Sequence, residues 1–282
     1  MRSFLFAIRI AYDAFLKFLR DDGWAIASHI ALSMLMSLFP FLIFLTALTS
    51  LLYGSEELAE KAAQILLEAW PQEVAGPIAN EITNVLTRAH GGVLTFGAVL
   101  ALYFSTNGVE SLRIGLNRAY NETETRAWWL LRLESVGYVL LSAVALSALA
   151  FLIVLVPLIR PAVLYYLPAL AGIEDLLTIL RYAVTSLLLV LALAVAHKWL
   201  PSGRRNVHEI APGIAVTLLL WLVSAFAFAR YLAAFSGAYV RTYAGLASAM
   251  VALVFLYWTA GIFVYGGELN QAIRTMRQRH PH

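Results

Sequence analysis

A stripe of polar side chains runs along the segment that ends at Tyr120. Successive residues of a helix turn by about 100°, which places Tyr103, Thr106, Glu110, Arg113, Asn117 and Tyr120 on one narrow stripe. The other side carries Val109, Leu112 and Leu116. An arginine such as Arg113 recognises phosphate or carboxylate through its fixed fork of donors, and a neighbouring carboxylate such as Glu110 can hold that arginine or exchange protons. The stripe therefore predicts a site for the anionic head group of a substrate.

The stripe follows an apolar run that is too short to cross a membrane. Gly92–Ser105 contains 14 residues, which as a helix span about 21 Å of a hydrocarbon layer roughly 30 Å thick. The helix is therefore expected to continue through the polar segment. Its charged side chains must then face protein or water, because lipid would cost several kcal/mol per charge. We expect a polar cavity that opens toward the cytoplasm. The alternative is that Glu110 and Arg113 pair with each other in the headgroup region.

Further polar residues are expected at a similar depth. Glu268 ends the last apolar segment, where it is either a helix-end carboxylate in water or the partner of an arginine. The arginines considered are Arg113, Arg118 and Arg132. The adjacent Gly266 and Gly267 would permit close approach of another helix. The candidate substrate-binding or cavity residues are Asn107, Glu110, Arg113, Asn117, Arg118, Tyr120, Glu268, Asn270 and His29.

Two residues of the first apolar segment have structural as well as functional interpretations. His29 is the single histidine of this segment and lies near the start of the segment. A histidine in such a place is more often a hydrogen-bonded structural residue than a proton relay. Pro40 removes one helix hydrogen bond and is expected to kink this segment. Kinked helices often border the binding site of a transporter, although membrane helices also tolerate proline.

The composition predicts an all-α polytopic membrane protein. The chain of 282 residues is 61% hydrophobic and only 13% charged, whereas a soluble domain has about 25% charged residues. Apolar runs of spanning length predict six transmembrane helices at Ala25–Leu52, Gly92–Ser105 with an extension, Ser135–Val156, Leu176–Ala196, Ile210–Ala234 and Ala244–Gly267. The first residues do not resemble a cleaved signal peptide, because Arg9, Asp13 and Lys17 interrupt the apolar stretch. Their spacing favours an amphipathic helix on the membrane surface.

The basic residues predict the orientation. The side that holds both termini carries 14 of the 20 Lys and Arg residues, and cytoplasmic loops carry such an excess. We therefore expect a single membrane domain over residues 1–282 with both termini in the cytoplasm. It comprises an interfacial helix at 1–24, an extracytoplasmic loop at 54–91 and a cytoplasmic tail at 268–282. The spacing of apolar residues in the loop favours two short helices on the outer rim over a separate ligand-binding domain.

The sequence offers no catalytic residues, metal site or cofactor site. It has no cysteine, and its six histidines are not at helical ligand spacing except for the pair at the C-terminus. No nucleophile triad, phosphate loop or dinucleotide-binding glycine pattern occurs in a suitable setting. We therefore expect no enzyme, no cofactor and no nucleic-acid partner. Small residues at 244–249, four apart, favour tight helix packing, within the chain or in a homo-oligomer.

Four stretches together resemble one known family. They are "SMLMSLFPFLIF", "NGVESLRIGLNRAYNE", "HKWLPSGRRNVHEIAPGIAVTLLLW" and "YVRTYAGLASAMVALVFLYWTAGIFVYGGELN". Over roughly residues 5–275 the chain resembles the YihY/BrkB family of bacterial inner-membrane proteins. One departure is Ala244, where the family more often has glycine. The resemblance implies six helices in the inner membrane with cytoplasmic ends. The family once carried the name ribonuclease BN and has been linked to envelope lipid phenotypes, so the resemblance leaves its activity open.

The sequence is compatible with three functions of a membrane protein. The polar stripe and Glu268 favour a transporter or flippase of an amphipathic anionic substrate such as an envelope lipid, with membrane lipids as its partners. The alternative is a non-transporting scaffold for envelope partners. A lipid-modifying enzyme would need a catalytic constellation that the sequence does not provide. Ribonuclease activity is not expected, since the cytoplasmic loops are too short for a catalytic domain.

Overall fold

The structure is a computed structural model that describes residues 2–53, 91–166, 174–243 and 247–279. Helices are the regular elements of this part of the chain. Their bounds are α1 Arg2–Arg20, α2 Gly23–Tyr53, α3 Gly91–Ala119, α4 Trp128–Tyr166, α5 Glu174–Trp199, α6 Val207–Tyr243 and α7 Ala247–Arg279. The prediction that the helix beginning at Gly92 continues through the polar segment is confirmed, because α3 is unbroken to Ala119. The predicted extracytoplasmic loop lies almost entirely outside the described residues.

Among the described residues, four helices are long and apolar enough to cross a membrane. The segments are Gly23–Leu45, Trp128–Leu149, Val207–Leu232 and Ala249–Gln278, and a shorter apolar helix covers Ala183–Trp199. They agree with five of the six predicted spans in position, while the number six stays a prediction. Pro40 lies inside α2. Helix α7 continues past Gly267 to Arg279, so the predicted tail begins as helix.

The chain divides into two compact units. One contains Met1–Met36, Asn107–Arg132 and Val190–His282, and the other contains Ser37–Thr106 and Leu133–Leu189. Of the predicted site residues, all nine belong to the first unit. Pro40 belongs to the second. The first of these units is called unit 1.

Helix α1 packs against α7 in unit 1 through a face that the sequence did not single out. Ile10 and Ala14 are buried with Leu269 in one apolar cluster. Ile8 and Tyr12, which belong to the apolar face of the amphipathic helix that the sequence predicts, are exposed at 50% and 60%. An exposed apolar face of this kind fits a helix that lies at the membrane surface.

Two helix caps, a C-cap and an N-cap, place the site residues at the ends of helices. Helix α3 ends because Asn121 adopts the left-handed conformation with φ of 55°, and Glu122 N then donates to Asn117 O at 2.8 Å, as in a Schellman C-cap. This turn fixes Tyr120. Helix α6 begins with a capping carboxylate, since Asn206 N donates to Glu209 Oε2 at 3.0 Å.

Helices α6 and α7 cross at two glycines. A methyl group on Gly213 would overlap the carbonyl oxygen of Gly266 and the side-chain amide of Asn270. A methyl group on Gly267 would press on Ala119. The predicted use of Gly266 and Gly267 for close helix approach is therefore confirmed. The lack of side chains lets the α7 backbone lie directly against α6 and against the end of α3.

Candidate functional site

The charged stripe on α3 forms a cluster with the start of α4. Arg113 is 3% exposed, and its Nη2 donates to the carbonyl oxygen of Leu131 at 3.2 Å. Glu110 pairs with Arg132 at 2.7 Å, and both terminal nitrogens of Arg132 lie 3.2 Å from Asn107 Oδ1. The alternative that Glu110 pairs with Arg113 is therefore wrong, because Glu110 is taken by an arginine of the next helix.

Glu268 has a different partner from those considered in the sequence. It is 1% exposed and accepts a hydrogen bond from Lys17 Nζ at 2.5 Å. Lys17 also pairs with Asp21 at 2.7 Å and donates to the carbonyl oxygen of Ala119 at 3.1 Å. The expectation of an arginine partner for Glu268 is thus corrected, since α1 packs on α7 and brings a lysine to the carboxylate. Such a pair balances a buried charge that would otherwise cost several kcal/mol.

A third group joins four helices through neutral side chains. Asn270 Nδ2 donates to the hydroxyl of Tyr120 at 3.0 Å, and its Oδ1 accepts from Gly213 N at 2.6 Å. The Tyr120 hydroxyl lies 2.8 Å from His197 Nδ1. The hydroxyl can donate to this nitrogen or accept from it, because its oxygen accepts up to two hydrogen bonds; the second ring nitrogen of His197 is Nε2. That Nε2 is buried and has no hydrogen-bond partner in the described part of the chain.

Burial makes Tyr120 a weaker acid than an ordinary tyrosine. Loss of contact with water raises its pKa to about 12, since the phenolate would be charged in a poorly solvated place. Tyr120 therefore remains a neutral hydrogen-bond donor throughout the physiological range. The guanidinium of Arg205 lies over its ring, 4.0 Å from the centroid, in cation–π geometry.

The loop between α5 and α6 docks on the turn after α3. Arg205 Nη2 donates to Ser202 O at 2.7 Å and to Glu122 Oε1 at 3.2 Å. Ser202 N in turn donates to Asn117 Oδ1 at 2.7 Å. Asn117 thus holds two loops together, so the structure gives this predicted site residue a structural contact.

A salt bridge on the same turn is exposed to water. Arg126 donates to Glu124 through Nε and Nη2, both at 2.8 Å, and through its backbone N at 3.2 Å. Asn117 adds a fourth donor at 3.1 Å. The hydrogen bonds from Arg126 are the main reason why the pKa of Glu124 falls to about 2. Arg126 also donates to the carbonyl oxygen of Leu200 at 2.8 Å, which ties this turn to the end of α5.

Eight of the nine predicted residues therefore fall into three groups with two outliers, and the ninth, Asn117, holds two loops together. Asn107, Glu110 and Arg113 lie near the start of α4; Tyr120 and Asn270 bond to each other; Glu268 belongs with Lys17. Arg118 and His29 are exposed. The sequence reasoning missed Lys17, His197 and Arg205 as participants. The four-residue spacing of Lys17 and Asp21 was a usable signal for the first, whereas nothing in the local sequence distinguishes Arg205 from the exposed Arg204.

Three cavities lie in unit 1 away from the Arg113 cluster. One of about 170 Å³ is lined by Glu209, Ile273, Arg274, Arg277 and Gln278. A second, of about 430 Å³, is lined by Ser224, Ala227, Phe228, Tyr231, Val254 and Trp258. The third, of about 180 Å³, has an apolar wall and is lined by Phe15, Phe18, Trp24, Leu220, Trp258, Gly261, Ile262 and Tyr265. The cavity predicted beside Glu110 and Arg113 stays a prediction. Among the described residues, no three His, Asp or Glu side chains are grouped so as to hold a metal ion.

Comparison with known proteins assigns the family. Residues 14–282 match the family described as Virulence factor BrkB. The chain belongs to the BrkB family. A ribonuclease-like protein of Bacillus subtilis (strain 168), YfkH, is 24% identical to this BrkB-family chain over 271 residues, which is 94% of this chain and 95% of the relative.

A second relative is longer than this BrkB-family chain. A UPF0761 membrane protein of Rhodospirillum centenum is 23% identical over 276 residues, covering 96% of this chain and 59% of the relative. No solved structure matches the chain. The family and the apolar helices together identify a membrane protein. The BrkB and UPF0761 names denote a membrane family that is not a known enzyme family, and the word ribonuclease describes only the Bacillus protein.

Proposed function

We propose that this BrkB-family protein is a transporter or flippase for an anionic amphipathic substrate such as an envelope lipid. The observation that carries the proposal is the burial of Arg113, which is 3% exposed. Ionisable groups inside a membrane protein are costly and commonly mark a substrate path. The expected place of action is the bacterial inner membrane, with both termini in the cytoplasm.

The surroundings of Arg113 suit recognition of an anion. The Leu131 carbonyl holds one terminal nitrogen of its guanidinium, and Arg132 lies nearby because it shares the Glu110 cluster. A planar guanidinium that the protein already orients loses little freedom when it binds phosphate or carboxylate. In this proposal Arg113 binds the head group, and Glu110 holds Arg132 in place or exchanges protons.

A second candidate function is a scaffold without transport. The specific observation in its favour is that several buried polar groups bond to each other, as Tyr120 does to Asn270 and Lys17 does to Glu268. Internal bonding of this kind makes a rigid unit. A scaffold would use that rigidity to present surfaces to envelope partners.

The test is mass spectrometry of the lipids that copurify with the protein. The variant is Arg113→Gln, and the matched control is Arg230→Gln, which removes the same charge from an exposed side chain lying over Phe226. We expect an anionic lipid to be enriched with the wild-type protein and with the control. Its amount should fall about tenfold or more in Arg113→Gln, since one charge-assisted hydrogen bond contributes about 1.5–3 kcal/mol.

Reconstituted vesicles separate the two candidate functions. If the bound lipid is also moved between leaflets, and Arg113→Gln stops this movement, transport is supported. If the lipid binds but is never moved, the scaffold is favoured. Unchanged lipid binding and movement in Arg113→Gln would remove the basis of the transport proposal.

A further inference from the structure

The cavity at the end of α7 has the dimensions and walls of a small anion site. Its volume is about 170 Å³, and its lining includes Glu209, Arg274, Arg277 and Gln278. A water molecule needs only about 10–15 Å³ of such space, so a tetrahedral oxyanion fits. Arg277 and Gln278 are exposed, which makes the cavity accessible from solvent.

The charges around this cavity are unbalanced. Two arginines line it, and the single carboxylate is that of Glu209. Glu209 already accepts a hydrogen bond from Asn206 N at the start of α6. Within the described ranges, neither Arg274 nor Arg277 forms an ion pair. Guanidinium groups without a carboxylate partner favour an anionic ligand.

A third arginine adds buried donors beside the cavity. The Arg205 side chain is 1% exposed, and its Nη2 is used by Ser202 and Glu122. Its Nε and Nη1 are buried without an acceptor among the residues that the structure describes. Buried donors of this kind are rare in proteins and call for a water or an ion.

The chain brings Arg205 next to one lining residue, because the following residue, Asn206, donates through its backbone N to Glu209 Oε2 at 3.0 Å. Burial lowers the pKa of Arg205, and the charges of Arg274 and Glu209 act on that pKa as well. The same two residues also act on Tyr120, over whose ring Arg205 lies. Arg205 thus adds a positive charge near Glu209.

We infer that this cavity binds a phosphate-class oxyanion, with Arg274 and Arg277 as direct ligands and Arg205 as a buried positive charge near Glu209. The anion is either inorganic phosphate or the head group of a phosphate-bearing lipid, since the recognition chemistry is the same. The site shares no residue with the Arg113 cluster. It stands or falls independently of the transport proposal.

The first experiment is titration calorimetry of inorganic phosphate into the full-length protein in detergent. Arg274→Gln should weaken phosphate binding by about tenfold or more, because it removes a charge-assisted contact. The matched control is Arg204→Gln, which removes an exposed arginine next to Arg205 in the same loop and should leave the affinity within about twofold.

A variant that gains affinity excludes misfolding as the explanation. Glu209→Gln removes the single carboxylate of the lining while the amide retains an oxygen to accept from Asn206 N. It should tighten phosphate binding by a few-fold. The second experiment measures the same variants in lipid nanodiscs of phosphatidylcholine with and without phosphatidic acid, using native mass spectrometry to count bound phosphatidic acid.

The two experiments distinguish the sources of the anion. Arg274-dependent binding of inorganic phosphate alone supports the site with a free anion as its ligand, and Arg274-dependent retention of phosphatidic acid supports it with a lipid head group. The inference is overturned if neither probe binds. It is equally overturned if Arg204→Gln weakens binding as much as Arg274→Gln, because the effect would then be general surface charge.

Discussion

The crossing of α6 and α7 makes a sharp prediction for Gly213→Ala. The added methyl group would overlap two groups of α7, the backbone carbonyl of Gly266 and the amide of Asn270. Neither can move as a flexible side-chain tip does, since one is backbone and the other is held by Tyr120. The helices must therefore separate, and Gly213 N loses its 2.6 Å bond to Asn270 Oδ1.

The magnitude follows from these two effects. Overpacking of a tight interior costs about 1–3 kcal/mol, and the loss of a buried hydrogen bond costs about 0.5–1.5 kcal/mol. Alanine has a better helix propensity than glycine, which offsets the loss by up to about 1 kcal/mol. We expect the free energy of unfolding to fall by about 1–4 kcal/mol.

The matched control is a glycine-to-alanine substitution at a position where nothing crowds the added methyl group. A methyl group on Gly137, inside α4, meets nothing within 4 Å, so Gly137→Ala should be neutral or stabilising by up to about 1 kcal/mol. Tryptophan fluorescence during unfolding in mixed SDS micelles measures both variants. It suits this protein because Trp221 of α6 donates to the carbonyl oxygen of Thr259 in α7 at 2.9 Å. If Gly213→Ala is as stable as Gly137→Ala, the close crossing is not a feature of the folded protein.

Two further predictions concern ion pairs. Lys17→Met should lower the free energy of unfolding by about 3–5 kcal/mol, because it leaves the buried Glu268 carboxylate without its partner. Adding Glu268→Gln should recover part of the loss, and a double-mutant cycle with no coupling would contradict the pair. The contribution of Glu124 to the free energy of unfolding should decrease as the pH falls. Because its pKa is lowered from 4.5 to about 2 in the folded protein, its stabilisation is complete above pH 4.5 and is lost as the pH falls toward 2. The stability difference between the wild type and Glu124→Gln, measured against pH, should therefore shrink over this range; a difference that grows on acidification would reverse the sign.

Local patterns in the sequence predicted the helices better than they predicted which helices pack together. The run from Gly92 to Ser105 was too short for a bilayer, and α3 indeed continues to Ala119. The periodicity of α1 identified an outward apolar face, but it did not reveal the second face through which Ile10 and Ala14 pack on Leu269. A helical repeat shows which residues share a side of one helix, and it contains no information about the neighbouring helix.

For the candidate site, too, the sequence indicated which residues are unusual better than it indicated their partners. The sequence singled out Glu110, Arg113 and Glu268 as unusual charges beside apolar segments, and the structure buries Arg113 and Glu268. The assignment of partners was wrong for two of them. Glu110 pairs with Arg132 and Glu268 with Lys17, because packing of α1 and α4 decides which cation reaches which carboxylate.

The sequence by itself determined that this protein resides in a membrane, that its elements are helices and that its family is BrkB. These properties follow from composition, from the length of apolar runs and from motifs along the chain, all of which are local. Only the tertiary structure decided that Lys17 meets Glu268 across 251 positions and that Asn270 meets Tyr120 across 150. Such contacts depend on glycine-mediated helix crossings and on loop docking. The free energy of these crossings and docked loops arises from the packing of the whole unit.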